Sequence, residues 1–126
     1  AELVFVNGRF QLALSSVALA GGTLAPAKYA TTIKSPAEFK GKWVLNLGKA
    51  GTYTVANNGQ IFVRGKYSVT GSKITFGHES GAGACPKTGK YTWKKSGRTL
   101  KFTRISDALV CSGRSGVLAH TFTQLR

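Results

Sequence analysis

Few side chains in this sequence are of a type that does chemistry, and they lie far apart. Four carboxylates, Glu2, Glu38, Glu79 and Asp107, stand against 18 lysines and arginines. An acid–base pair needs two titratable groups close together in environments that push their pKa values apart, and nothing around these four pairs them. His78 and Glu79 are chain neighbours, but adjacent residues of a strand point to opposite faces. His120, set between Leu118 and Phe122, reads as a hydrogen-bonded core histidine rather than the activator of a nucleophile. There is no G-x-S-x-G elbow, no phosphate-binding glycine loop and no Cys/His set that gives four metal ligands. The expectation is a protein that is not an enzyme and needs neither metal nor cofactor.

Cys85 and Cys111 are the two cysteines, and they read as a disulfide. Closing a loop of about 25 residues stabilises a fold by about 3 kcal/mol on the chain-entropy model, and such a bond implies an oxidising compartment. Methionine is absent, including at residue 1, which fits a mature chain that begins at a processing site. The reading is a secreted or cell-surface protein. "RFQLALSSVALA" mimics a signal-peptide core but is taken as part of the folded chain, and no run reaches the roughly 20 apolar residues that span a bilayer.

The formal net charge is +14, so polyanions such as nucleic acid or acidic wall polymers are attracted, with screening by salt. The cations are scattered from Arg9 to Arg126, which makes charge a property of the folded surface. "YTWKKSGRTLKFTR", residues 91 to 104, shows how. In a hairpin, Tyr91, Trp93, Leu100 and Phe102 share one face, and Lys94 and Lys101 fall on the other. Rings and cations are segregated, whereas a single-strand nucleic-acid platform needs them on one surface. Lys66, Lys94 and Lys101 remain a candidate face for nonspecific polyanion contact.

The elements that hold these residues follow a period of two from Lys42 onward. "KWVLNL" aligns Trp43, Leu45 and Leu47; "GTYTVA" aligns Tyr53 and Val55; "QIFVRGKYSV" aligns Ile61, Val63, Tyr67 and Val69; "KITFG" aligns Ile74 and Phe76. With "KYTWKK", "TLKFTR" and a last strand near "GVLAHTFTQL", seven strands are predicted between Lys42 and Leu125. In the last, Leu118, His120 and Phe122 are preferred as the inward set over Val117, Ala119 and Thr121. Turn formers at Gly48 to Gly51, Asn57-Asn58-Gly59, Gly71-Ser72 and Ser96-Gly97 separate the strands, so the order is up-and-down. The Gly-rich loop 77 to 89 could leave an open mouth on a lumen otherwise heavy enough to pack solid.

Residues 1 to 40 read differently. Asn7-Gly8 between "ELVFV" and "RFQLAL" is a hairpin signal, no charge occurs between Arg9 and Lys28, and residues 21 to 41 read as a connector. A single helical turn is expected at Ser35-Pro36-Ala37-Glu38, with Ser35 as its cap. A seven-stranded sheet leaves an open edge, which residues 3 to 20 would fill either in cis or by strand addition to another copy.

"FKGKWVLNL" carries Gly41-Lys42-Trp43 at the head of the first strand and resembles the G-x-W of the calycins, the lipocalin and avidin barrels. The ending "VLAHTFTQL" is similar to the last strand of avidin-like barrels. The resemblance implies an eight-stranded barrel, often with a small-molecule site, and an arginine packed over the motif's tryptophan. Arg104, in phase with Leu100 and Phe102, is preferred over Arg114 for that cap. The set of Trp, Ser and Asp residues that holds biotin in avidins is not found.

The chain is thus expected to be an all-β, small antiparallel up-and-down barrel over 41–126, with an N-terminal apolar arm and connector over 1–40. The leading functional expectation is a noncatalytic, self-assembling extracellular subunit joined through residues 3–20, anchored by Leu3, Phe5, Phe10, Leu12 and Leu14. The alternatives are a carrier of a small apolar ligand lined by Trp43, Tyr67 and Trp93, and a polyanion-binding module.

Overall fold

The computed structural model describes residues 24–126 and two short strands nearer the N-terminus, β1 (Val4–Val6) and β2 (Arg9–Gln11). These pair antiparallel with Val6 opposite Arg9 and Phe5 opposite Phe10, the hairpin that Asn7-Gly8 predicts. The expected anchors Leu3, Leu12 and Leu14 lie outside the described residues.

Eight further strands form one closed barrel: β3 (Ala27–Ile33), β4 (Gly41–Leu47), β5 (Thr52–Asn57), β6 (Gln60–Thr70), β7 (Lys73–Ser80), β8 (Gly89–Ser96), β9 (Thr99–Ser106) and β10 (Phe122–Gln124). Each pairs antiparallel with its neighbours in the chain, and β10 closes the ring by pairing with both β9 and β3. The up-and-down order is as expected.

The eighth strand corrects the reading of the connector. "AKYATTI" forms β3 because Tyr29 and Ile33 alternate onto the core face, 0% and 1% exposed, while Pro26 and Pro36 bound it without interrupting its ladder. Only two large apolar residues mark its period, and the flanking prolines mask it. The edge assigned to residues 3–20 is therefore filled by residues 27–33, and the barrel begins well before the boundary at residue 41.

Three local departures follow from bulges and loops. Ile61, expected inside, is 51% exposed. The β5–β6 register shifts between Val55 and Ala56, and one extra residue turns the side chains beyond it to the other face. The segment before β10 is not strand but the helix α1 (Ser112–Leu118). Val117 and Leu118 are both buried there, so neither alternation applies until Phe122. The turn near Ser35 is a 3₁₀ turn at Ala37–Phe39 that begins after Pro36 and has no side-chain cap.

The inward set from Trp43 to Phe122 forms the core. Its rings meet edge-to-face across strands: Tyr53 with Phe76 at 5.1 Å, and Phe76 with Phe102 and Phe102 with Phe122 at 5.9 Å. Such pairs add about 0.5–1.5 kcal/mol each beyond their area burial.

The barrel has two unlike ends. One carries the tight turns 48–51, 71–72 and 97–98; the other carries the segments 34–40, 81–88 and 107–121 and the two-residue turn Asn58-Gly59. That turn needs positive φ at both positions, and has it, at 50° and 88°, as a two-residue hairpin demands.

Candidate functional site: a cavity and a buried ion cluster at the wide end

At the wide end a bulge re-aims one carboxylate. The β6–β7 register shifts between Arg64 and Lys66, and His78 takes a left-handed backbone with φ 51°. The step sends His78 out and turns Glu79 in, its side chain 3% exposed. Below it, the Tyr53 hydroxyl donates to Glu79 Oε2, and the Cys85 N–H donates to Oε1 at 2.9 Å.

Asp107 opens the loop after β9, and its side chain is 0% exposed. It accepts from the Tyr91 hydroxyl at 2.5 Å. Between the two carboxylates lies Arg114 of α1, 7% exposed. Its Nε and Nη2 grip Asp107 at 2.9 and 2.7 Å, Nη1 reaches Glu79 at 3.0 Å, and Nη2 also donates to the Lys87 carbonyl at 2.6 Å. Four of the five donors of the guanidinium are thereby used.

The cluster fits because Gly89 has no side chain. A Cβ there would stand 2.6 Å from Asp107 Oδ2 and 3.0 Å from Arg114 Nε.

Charge and burial set the protonation states. Burial works against the Asp107 carboxylate, but the hydrogen bonds from Arg114 and Tyr91 and the guanidinium charge outweigh it and hold its pKa below the ordinary carboxylate value. Burial likewise opposes the Arg114 cation, which Asp107 and Glu79 nonetheless keep charged, its pKa raised. Burial raises the pKa of both tyrosines, helped by the hydrogen bond to Glu79 for Tyr53 and to Asp107 for Tyr91. Each phenol is thus held as a neutral donor.

The disulfide Cys85–Cys111 forms, with Cα atoms 5.6 Å apart. It ties the loop that follows Glu79 on β7 to the connection between β9 and β10 that carries Asp107 and Arg114.

Above the cluster lies a cavity of about 330 Å³. Phe39, Trp43, Val55, Phe62, Val63 and Leu118 are among its walls, with Glu79 and Arg114 at its polar side and Glu38 also lining it. The Trp43 indole N–H donates to the Phe39 carbonyl at 2.7 Å, and its ring meets Phe62 edge-on at 5.9 Å. The lumen is packed at the tight-turn end and open at this one.

Trp43 is the one expected lining residue that faces the cavity. Tyr67 donates to the Gly48 carbonyl at 2.7 Å and Trp93 to the Gly71 carbonyl at 3.0 Å, so both close the opposite end. Arg104 is not the cap: it is exposed near the end of β9. A buried cation needs a counter-charge, and the long final connection supplies Arg114 where two carboxylates wait. Lys94 and Lys101 are direct cross-strand partners and exposed, as is Lys66, which lies two strands away on β6. His120 is half-buried in the segment after α1.

Strand alternation does not reveal the ion cluster, although the spacing to the cysteines carries a signal. Glu79 lies six residues before Cys85, Asp107 four before Cys111 and Arg114 three after it, so the expected disulfide already brought all three into one neighbourhood.

Among the described residues no group of three or more His, Cys, Asp or Glu could hold a metal ion, and no helix is long and apolar enough to cross a membrane. Fold and site define a closed eight-stranded antiparallel barrel, packed at one end and hollow at the other. Comparison with protein-family models, curated proteins and solved structures finds no match to this chain.

Proposed function

We propose that this barrel is a noncatalytic extracellular carrier that takes a small apolar molecule into the cavity at its wide end. One observation carries the reading: an apolar hollow of about 330 Å³, at the small end of the usual range for ligand pockets, stands beside polar groups that already satisfy one another. Glu79, Asp107, Tyr53 and Tyr91 are spent on fixing Arg114, so they serve the frame rather than a reaction. The G-x-W resemblance to calycins at Gly41-Lys42-Trp43 supports the same reading, and the disulfide supports an oxidising, extracellular setting.

Self-association through residues 3–20 no longer has an open barrel edge as its argument, since β3 and β10 complete the ring. Attraction of polyanions by the net charge of +14 is expected to be nonspecific.

The test is titration of the Trp93→Phe variant, in which Trp43 is the only indole, with 1-octanol. A saturable change in emission is expected. An unchanged spectrum up to the solubility limit would remove the carrier reading.

A further inference from the structure

The cavity's charge runs against that of the molecule. Outside, exposed lysines and arginines dominate, and Glu38 is the only exposed acidic side chain among the described residues. At the cavity two carboxylates, Glu38 and Glu79, stand with one guanidinium, Arg114, whose charge Asp107 already shares from outside the lining. Arg114 has four of its five donors committed, so it offers an incoming anion at most one N–H. A carboxylate ligand would have to be desolvated close to Glu79 with almost nothing to pair it.

A cation meets the opposite situation. Phe39, Trp43 and Phe62 line the hollow together with Glu38, and the Trp43 N–H is already bonded, so the indole meets a ligand as an aromatic surface and not as a donor. Aromatic faces attract cations, more strongly where water is excluded, and the Glu38 carboxylate adds a charge partner beside them.

We infer that the ligand is a small apolar molecule with a cationic head group, an amine or quaternary ammonium, held against Glu38 and the Phe39–Trp43–Phe62 wall with its apolar part in the hollow. The inference rests on the carrier reading and sharpens it. It also explains how such a basic protein would avoid filling its cavity with the anionic amphiphiles that its outer charge attracts.

Three straight-chain probes of different charge test it: octyltrimethylammonium, 1-octanol and octanoate. Each is titrated against the Trp93→Phe variant at about 0.5 M salt, where screening reduces the outer field to a few ångströms. The ammonium is expected to bind at least fivefold more tightly than octanol, and octanoate most weakly. Glu38→Gln should shrink the ammonium-to-octanol ratio at least threefold. Octanoate binding as tightly as the ammonium, equal affinity for all three, or a ratio unmoved by Glu38→Gln would overturn the inference while leaving a carrier in place. Failure of all three probes to perturb Trp43 would instead remove the carrier reading and the inference together.

Discussion

The two ends of the barrel are made from the same strands yet solve different problems. At the tight-turn end Leu24, Tyr29, Leu47 and Leu100 are at most 5% exposed, and the polar tips of Tyr67 and Trp93 are tied off on turn carbonyls. Apolar packing and two hydrogen bonds close that end without a charge. At the wide end the long connections cannot be closed by strand side chains, and an ion cluster with a disulfide does the work. Apolar filling leaves no hollow, whereas a plug built of charges and held at a distance by two tyrosines leaves one beside it. The difference teaches that the polar network is a strut for the cavity.

The comparison breaks most readily at Arg114. Arg114→Met strands Glu79 and Asp107 as buried, uncompensated charges, and the expected loss is about 3–5 kcal/mol, read by urea unfolding. Arg114→Lys should recover less than half of it, since an ammonium cannot reproduce the planar fork. At the other end Leu100→Ala should cost about 2–5 kcal/mol through loss of contacts and a cavity. Its octanol affinity should stay within twofold of the parent, because the damage lies away from the hollow.

Gly89→Ala probes the strut more gently. The added methyl pushes into the Asp107–Arg114 pair, and overpacking of this kind costs about 1–3 kcal/mol; a loss of octanol binding should accompany it.

The dependence on pH has a definite sign at each extreme. Asp107 titrates below its ordinary value in the folded state, so its contribution is present above the unfolded carboxylate pKa, about 3.9. It is lost as pH falls through the folded value. Tyr53 and Tyr91 are raised, so their contribution is full below the unfolded phenol pKa of about 10 and fades as pH climbs above it. Stability followed by urea midpoint should therefore drop below pH 4 and above pH 10, and Tyr91→Phe should flatten the alkaline limb. The smallest effect belongs to the outer face. Lys94→Glu replaces a like-charge pair with Lys101 by an opposite one, and should stabilise by about 0.2–1 kcal/mol.

The strand-borne part of this architecture was legible because a period of two, interrupted by turn residues, is written in every strand from β4 to β9. It faded where tertiary context took over. β3 shows only Tyr29 and Ile33 between prolines, and α1, "SGRSGVL", has two glycines and no capping side chain. Its helix is held by burial of Val117 and Leu118 and by the neighbouring disulfide, none of which is a local property. Of the site, Trp43 and the disulfide are visible in the sequence, while alternation favours Arg104 over Arg114 because it sees strand phase and not counter-charges. The bulge at His78 that brings Glu79 inside is likewise invisible to a strict alternation.

The central claim, a hollow wide end opposite a solid one, is tested most directly by methyl NMR of the intact protein during titration with 1-octanol. Saturable shifts are predicted for the methyl groups of Val55, Val63, Val117 and Leu118, with Leu24, Leu47, Val69 and Leu100 unmoved. Shifts concentrated in the second set, or spread evenly over both, would contradict the account.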